Sequence, residues 1–431
     1  VVFRPELSWE FLSADEIEAK SVRAVRNHVR HVKEVSPYYQ NALFDVFPED
    51  IKTADDIRRL LCTERSALSE DRELFLSVVP EQVVETMVTS GITGAPIVFS
   101  YTATDIERLA FSHALSFHSA GITPKDRALL LVTCDRLSLT GMACYRGLTL
   151  LGAATGRCGT GAADVLRRSL ELVKPTVIVG VPTALLRLAK ELTKQGFDAK
   201  ASSVQTIICV QESIRGQDME LNAVGTALED VYNAKVVSCY AATESSVSYC
   251  ECAVHYGGHA HPELVYSEIL DARGAAVQTG GVGELVVTPL GVEGVPLVRY
   301  RTGDVTFTVP GVCACGRNSL RIGPILGRAS QVFTVKGAAV YPLVITNVLD
   351  AVDGIEDYVI VVENDESGAD RVELHVATQP MNMQTINTQL RAQAKLQLPV
   401  LISNVPTIHH IRGKNAAKIR VIDRRKKRAG K

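Results

Sequence analysis

Apolar residues recur at helical spacing near the start of the chain. Ile17, Val22, Val25 and Val29 follow Ser13-Ala14-Asp15-Glu16, a capping box that announces a helix. A second box, Thr104-Asp105-Ile106-Glu107, predicts a helix running to about Ala120. From there buried strands alternate with amphipathic stretches. Strands are predicted at Ala128 to Val132, Val177 to Val179, Thr206 to Val210 and from Val236. Helices are predicted at Thr140 to Leu151, Ala162 to Val173, Pro182 to Leu192 and near Met219 to Tyr232. This alternation predicts an α/β fold with a largely parallel sheet covered by helices.

After about residue 260 the pattern changes to short strands between Gly and Pro, such as Glu284 to Val287 and Leu297 to Tyr300. From about residue 329 a small α+β domain is expected, with helices at Pro342 to Val352 and Met383 to Leu396. Its strands are expected at Tyr358 to Val362 and Val372 to Val376. The domain boundary therefore falls between 1–328 and 329–431.

Composition narrows the class. A chain of 431 residues exceeds one ordinary domain, and a net charge of −2 gives no electrostatic case for nucleic acid. The basic run Arg424 to Arg428 reads as a solvated tail. No apolar run is long enough for a membrane span, and Val1 to Glu6 lack the pattern of an export signal. With ten scattered cysteines, this predicts reduced thiols in a cytoplasm.

Four motifs carry candidate chemistry. The first is Thr89-Ser90-Gly91-Ile92-Thr93-Gly94-Ala95-Pro96, dense in hydroxyls and glycines. Such a loop points backbone N–H groups at an anion, so it reads as a phosphate cradle; a plain hairpin turn is the alternative. No Lys follows the second Gly, which excludes the P-loop of NTPases. The second motif, Tyr240-Ala241-Ala242-Thr243-Glu244, ends a buried strand, where open α/β sheets bind ligands. It offers a ring for a base, a hydroxyl for a phosphate and a carboxylate for Mg²⁺. The third, Arg299-Tyr300-Arg301-Thr302-Gly303-Asp304, places an acid after a Gly turn, suited to a ribose diol. The fourth is Gly327-Arg328, then Lys336-Gly337 and Tyr341-Pro342.

In this order and spacing the motifs resemble the adenylate-forming superfamily, and most the phenylacetate–CoA ligase branch. The branch's Cys-x-Cys-Gly-Arg element stands here as Cys313-Ala314-Cys315-Gly316-Arg317. The resemblance runs from about residue 8 to about 425. It implies a large N-terminal ATP- and acid-binding domain and a small mobile C-terminal one. It also implies a two-step reaction: a carboxylic acid and ATP give acyl-AMP, which coenzyme A converts to a thioester. An anthranilate- or other aryl-acid ligase of secondary metabolism fits this branch. A carrier-protein thiol as acceptor, or a degenerate nucleotide-binding relative, are the alternatives, and a homodimer is plausible by resemblance.

The resemblance assigns Thr89, Ser90, Gly91, Thr93 and Gly94 to the β- and γ-phosphates. Thr243 goes to the α-phosphate, Glu244 to Mg²⁺, and Glu212 and Tyr240 to the adenine side. Asp304 goes to the ribose, Arg328 lies before the hinge, and Gly337 belongs to the coenzyme A tunnel. Two lysines fit the C-terminal catalytic role. Lys414 has the Gly-Lys context, and Lys418 has the better spacing to Arg420-Val421-Ile422-Asp423. Departures are Ala95 in place of a loop Lys, and Ser330-Gln331 in place of hinge Asp residues.

Asp135, Arg136, Leu137 and Ser138 replace the aromatic and glycine residues usual in the branch's acid pocket. A more polar pocket for a substituted aryl acid such as an aminobenzoate is the inference; a surface Asp135–Arg136 pair is the alternative. Finally, two clusters of soft ligands suit tetrahedral zinc: Cys250, Cys252, His255, His259 and His261, then Cys313 and Cys315. Unmetallated strand cysteines are the alternative. Relatives point to Cys252, His259, Cys313 and Cys315 as the set, with a structural role.

Overall fold

The structure is a computed structural model that describes residues 3–5, 8–89, 96–135, 137–160, 163–335, 338–365, 369–413 and 420–425. The chain forms two compact units. The larger holds Val1–Ile214, Gly225–Thr302 and Thr306–Pro324; the smaller holds Arg215–Val224, Gly303–Val305 and Ile325–Lys431.

The larger unit opens with helix Ala14–Val35, and Ser13 and Glu16 make the reciprocal capping bonds that the sequence predicts. Its apolar stripe of Val22, Val25, Val29 and Val32 is buried. Each such valine contributes roughly 1.5 kcal/mol or more. The next long helix, Ala103–Ser119, is capped by Thr102 and Asp105 rather than by Thr104. Thr102 directly follows the strand Val98–Tyr101, so the chain turns into the helix two residues earlier than the sequence suggests. Asp105 also accepts from the backbone N–H groups of Glu293 and Gly294, which fixes the cap from outside the helix.

The centre of this unit is an eight-stranded sheet. Its strands are β1 (Arg127–Leu131), β2 (Ala154–Arg157), β3 (Val177–Gly180), β4 (Thr206–Val210), β5 (Lys235–Ala242), β6 (Val247–Glu251), β7 (Gly258–His259) and β8 (Arg321–Ile322). The order is β8-β7-β6-β5-β4-β3-β1-β2. Strands β1 to β5 run parallel, and β6 to β8 are antiparallel to their neighbours. Of these, β1, β3 and β4 are buried on both faces, which is why they read as unbroken apolar runs. β1 is flanked by β2 on one side and β3 on the other. The connections from β1 to β2 and from β2 to β3 therefore go opposite ways, opening a crevice at the carboxyl ends of β1 and β3. Helix Leu139–Leu151 packs tightly there: a Cβ on Gly141 would lie 2.2 Å from the Thr133 carbonyl oxygen.

Two sequence expectations move. The helix after β4 begins at Ala223, not near Met219, because Met219 adopts a left-handed φ of 71° in a turn. Leu297 to Arg299 are not strand; the strand is Tyr300–Phe307. Arg299 has φ +45° and its guanidinium is buried on Glu268, so the chain cannot run straight through it.

The smaller unit carries a sheet ordered Val400–Ser403, Asp370–Ala377, Asp357–Asn364, Val421–Asp423. Helices Pro342–Asp350 and Asn382–Gln393 contribute to its core, with Ile345, Leu349, Ile386 and Leu390 buried against Ile360 and Leu374. Arg412 grips both Asp357 oxygens, at 2.6 and 2.8 Å, anchoring helix Val405–Arg412 to the central strand. No helix among the described residues is long and apolar enough to cross a membrane.

Candidate active site and metal-ligand cluster

Thr243 and Glu244 occupy the tight connection between β5 and the antiparallel β6. Three contacts shape that turn. Tyr101 Oη donates to the Thr243 carbonyl at 3.2 Å, and Ser245 Oγ donates to Ala242 O at 2.9 Å. Arg108, itself buried, donates to Ser246 O at 2.8 Å, with Ser246 at φ +49°. Desolvation pulls Arg108 down to about 10, still charged at neutral pH. The Glu244 carboxylate is thereby held at the rim, 2.9 Å from Arg65 Nη1. Arg65 Nη2 reaches Thr89 Oγ1 at 3.4 Å. Thr89 Oγ1 also accepts from Ile97 N–H at 2.9 Å, closing the base of the loop. The start of the first motif and the end of the second thus meet on one guanidinium. Tyr240 packs on Tyr249, ring centroids 5.8 Å apart.

Glu212 caps the helix Pro182–Lys194. One oxygen accepts from Thr183 N–H at 2.9 Å and the other from Thr183 Oγ1 at 2.8 Å. The preceding Gln211, at φ +69°, donates to Thr140 Oγ1 at 3.3 Å and links the β4 end to helix Leu139–Leu151. Asp135, Leu137 and Ser138 lie in the loop after β1. Leu137 has φ +57°, its side chain is exposed, and its carbonyl accepts from Val88 N–H at 3.0 Å. In the smaller unit Asp304 and Arg328 are antiparallel partners, and Arg328 Nε contacts Asp304 Oδ1 at 2.9 Å. Ser90, Gly91, Thr93, Gly94, Arg136, Gly337, Lys414 and Lys418 lie outside the described residues.

The Cys and His residues form a separate cluster. The ligand atoms of Cys252, His259, Cys313 and Cys315 all lie within 4.8 Å of one another. Cys252 follows β6, His259 ends β7, and the two later cysteines sit in the loop before β8. Gly257, at φ +88°, makes the turn into β7; a Cβ there would press to 2.9 Å on Val309. The Cys252–Cys313 sulfur separation is 3.6 Å, and Cys315 Sγ lies 3.5 Å from His259 Nε2. Donors around tetrahedral zinc stand roughly 3.5–3.8 Å apart, so the set fits that ion. His259 Nδ1 bonds Ser319 Oγ at 3.1 Å, which orients the ring from outside the set. Burial lowers His259 to about 4, leaving a neutral imidazole, and pushes the Cys252 thiol up to about 12. Two of the other nearby candidates go elsewhere. His261 bonds Glu10 and Ser116, at 2.9 and 2.8 Å, and Cys250 faces Cys239 across the sheet.

The model of the AMP-binding enzyme family matches residues 13–292, well over half of the chain. The chain belongs to the AMP-binding enzyme family. This family member is similar to the phenylacetate-coenzyme A ligase of Thermus thermophilus, with 28% identity over 87% of this chain and 84% of that one. It is similar to the phenylacetate-coenzyme A ligase of Escherichia coli at 29% identity, over 77% of this chain and 76% of that one. Its fold matches a solved structure of 2-hydroxyisobutyryl-CoA ligase in the postadenylation state, with a TM-score of 0.83 and 21% identity. That match covers 96% of this chain and 91% of that one.

Within this AMP-binding enzyme, sequence reasoning missed Arg65 and Ser319. Arg65 starts the short helix Arg65–Glu70, and a cation in a first turn opposes the helix dipole. That was the only local signal, and a weak one. Ser319 gave none, since its contact with His259 spans 60 residues.

Proposed function

We propose that the chain is an AMP-forming acid–thiol ligase acting on an aryl carboxylic acid of benzoate, anthranilate or phenylacetate type. A carboxylate oxygen attacks the α-phosphorus of ATP, the bond to the β-phosphate oxygen breaks and pyrophosphate leaves. The coenzyme A thiolate then attacks the acyl carbonyl, the carbon–oxygen bond to phosphate breaks, and AMP leaves. The observation that carries this reading is the meeting of Thr89 with Glu244, 155 residues apart in number, at the carboxyl edge of a parallel sheet. The family match and the relatives named above support it.

In this reading Thr243 and the 89–94 loop hold phosphates, and Tyr240 and Glu212 border the adenine. Asp304, with Arg328, meets the ribose. Glu244 is the carboxylate for Mg²⁺, which supplies neutralisation of phosphate charge when bound. Lys418 or Lys414 serves the first step and Gly337 the second, with residues 329–431 moving between the two. The loop 135–138 borders the acid, and its polar residues favour a substituted ring. Cys252, His259, Cys313 and Cys315 hold a structural zinc that ties β6, β7 and the loop before β8.

The test is ATP- and Mg²⁺-dependent pyrophosphate release across aryl and short aliphatic acids, with and without coenzyme A. Release with benzoate-type acids and a thioester product with coenzyme A are expected. Absence of release with every acid overturns the ligase reading, and acyl-AMP that coenzyme A does not discharge overturns the acceptor. Metal analysis of the purified full chain is expected to find stoichiometric zinc, lost in Cys313→Ser. A metal-free active enzyme removes the zinc assignment alone.

A further inference from the structure

The loop that carries Cys313 and Cys315 continues into Arg317 and Asn318, and both of these residues are held by the segment 8–12 near the start of the chain. Glu10 Oε2 accepts from Arg317 Nε at 3.1 Å, and the Glu10 carbonyl accepts from the Asn318 N–H at 2.7 Å. Asn318 Nδ2 donates to the Leu12 carbonyl at 2.9 Å, and the guanidinium carbon of Arg317 lies 4.8 Å from the centre of the Phe11 ring. The segment is pinned on its other side as well. Glu10 Oε1 meets His261 Nδ1 at 2.9 Å, His261 Nε2 meets Ser116 Oγ at 2.8 Å, and Ser8 Oγ donates to Glu263 Oε1 at 2.7 Å. Glu10 and His261 are 1% and 0% exposed. A carboxylate drawn so far out of water is tolerated because both of its oxygens are bonded. Glu10 thus sets the position of Arg317, and Arg317 in turn hydrogen-bonds the side chain of Cys315.

We infer that residues 8–12 are a clasp on the metal-ligand cluster, with Glu10 as its positioning residue, so that zinc binding and docking of the clasp strengthen each other. The inference rests on the zinc reading above. Cys252 and Cys313 are 61 positions apart, so bringing the later loop to the earlier ligands costs chain entropy. A loop already held at Arg317 and Asn318 has met that cost before the metal arrives. Charge acts in the same direction. Three thiolates and a neutral imidazole leave a bound divalent ion one negative charge in excess, and Arg317 lies where it offsets that charge. Contacts of this kind, one step beyond the ligands, orient them and raise metal affinity. By linkage, the factor that the docked clasp adds to zinc affinity is the factor that zinc adds to docking of the clasp.

The test reads zinc affinity of the full chain, by competition with a chromophoric chelator, and needs no turnover. Glu10→Gln keeps the shape, removes the charge and turns one acceptor into a donor that faces another donor. It is expected to weaken zinc binding about tenfold. Asn318→Ala removes the contact to the Leu12 carbonyl and is expected to weaken zinc binding about threefold. Ser13→Ala removes the cap of the following helix and touches nothing on the metal loop, so zinc affinity is expected to stay within about twofold. A merely structural Glu10 would lower stability, as Ser13→Ala does, and leave zinc affinity alone. The converse measurement uses the unsubstituted chain, so it stands even if Glu10→Gln does not fold. Chelating the zinc is expected to speed hydrogen exchange at the Asn318 N–H about tenfold, with the amides of β1, β3 and β4 unchanged. A folded Glu10→Gln that binds zinc as tightly as the unsubstituted chain, or exchange at Asn318 that chelation does not alter, overturns the clasp and leaves the zinc assignment standing. A chain that takes up no zinc removes both.

Discussion

Two arginine–glutamate pairs in the larger unit use the same chemistry to opposite ends. Arg299 and Glu268 are 3% and 6% exposed and bond through two parallel contacts, at 2.8 and 3.0 Å. Arg299 Nη1 donates to the carbonyls of Arg58 and Leu60. Arg65 and Glu244 meet at the rim through one contact. In the first pair four N–H bonds hold a guanidinium that is almost wholly out of water. The second is more exposed, at 28% and 14%. A buried pair with two bonds is thus a fixture of the fold, whereas a more exposed pair with one contributes little to stability. Arg299 also lies within the Arg-Tyr-Arg-Thr-Gly-Asp motif. That motif mixes a residue that builds the corner with Asp304, the residue proposed for the ribose.

The comparison can be broken by measuring stability at both pairs. Arg299→Ala leaves Glu268 buried without its partner and is expected to cost about 3–5 kcal/mol in denaturant unfolding. A cost near that of an ordinary surface change would show that the buried pair is not a fixture.

The same corner gives a pH signature. His28 Nε2 meets the Leu297 carbonyl at 3.0 Å, and burial lowers His28 from 6.5 to about 4. Between these values the unfolded chain binds the proton and the folded one does not. Stability from this group is therefore whole above pH 6.5 and falls as pH drops toward 4. The full loss is on the order of 3 kcal/mol. Denaturation at pH 7 and pH 5 is expected to show the slope, and His28→Gln to flatten it.

A smaller effect is expected at Tyr39. The Val298 N–H donates to Tyr39 Oη at 2.8 Å, and Thr63 Oγ1 donates to the Val298 carbonyl at 2.6 Å. Tyr39 Oη therefore donates to Thr63 Oγ1, 2.7 Å away, completing a closed circuit. Tyr39→Phe strands the buried Val298 N–H and is expected to cost about 1.5 kcal/mol, read as a lower denaturation midpoint. The smallest effect belongs to the rim: Arg65→Ala is expected to change stability by less than about 1 kcal/mol. A large loss of stability there would place Arg65 with the fixtures.

Much of this was legible in the chain. The capping box at Ser13 and the apolar runs of β1, β3 and β4 are local patterns, and burial on both faces makes them strong. Where the sequence misled, a distant partner had intervened. Thr102 replaced Thr104 as a cap because Asp105 is also held by Glu293 and Gly294. Leu297 to Arg299 left the strand because Glu268, Tyr39 and His28 hold them in a corner. The Cys-His set was readable as soft ligands at workable spacing, but only the pairing of β7 with β8 brings His259 beside the loop of Cys313 and Cys315.

The sequence by itself determined the family, the alternation of strands and helices, and the kinds of side chain available for chemistry. These follow from local periodicity, turn residues and motif spacing, which act over a few residues at a time. Only the tertiary structure decided which charges neutralise each other. Arg65 is 179 positions from Glu244 and Arg299 is 31 from Glu268, and their pairing depends on which elements pack together. A hydrogen-bonded ion pair forms only at contact distance, so the fold, and not the order of residues, chooses its partners.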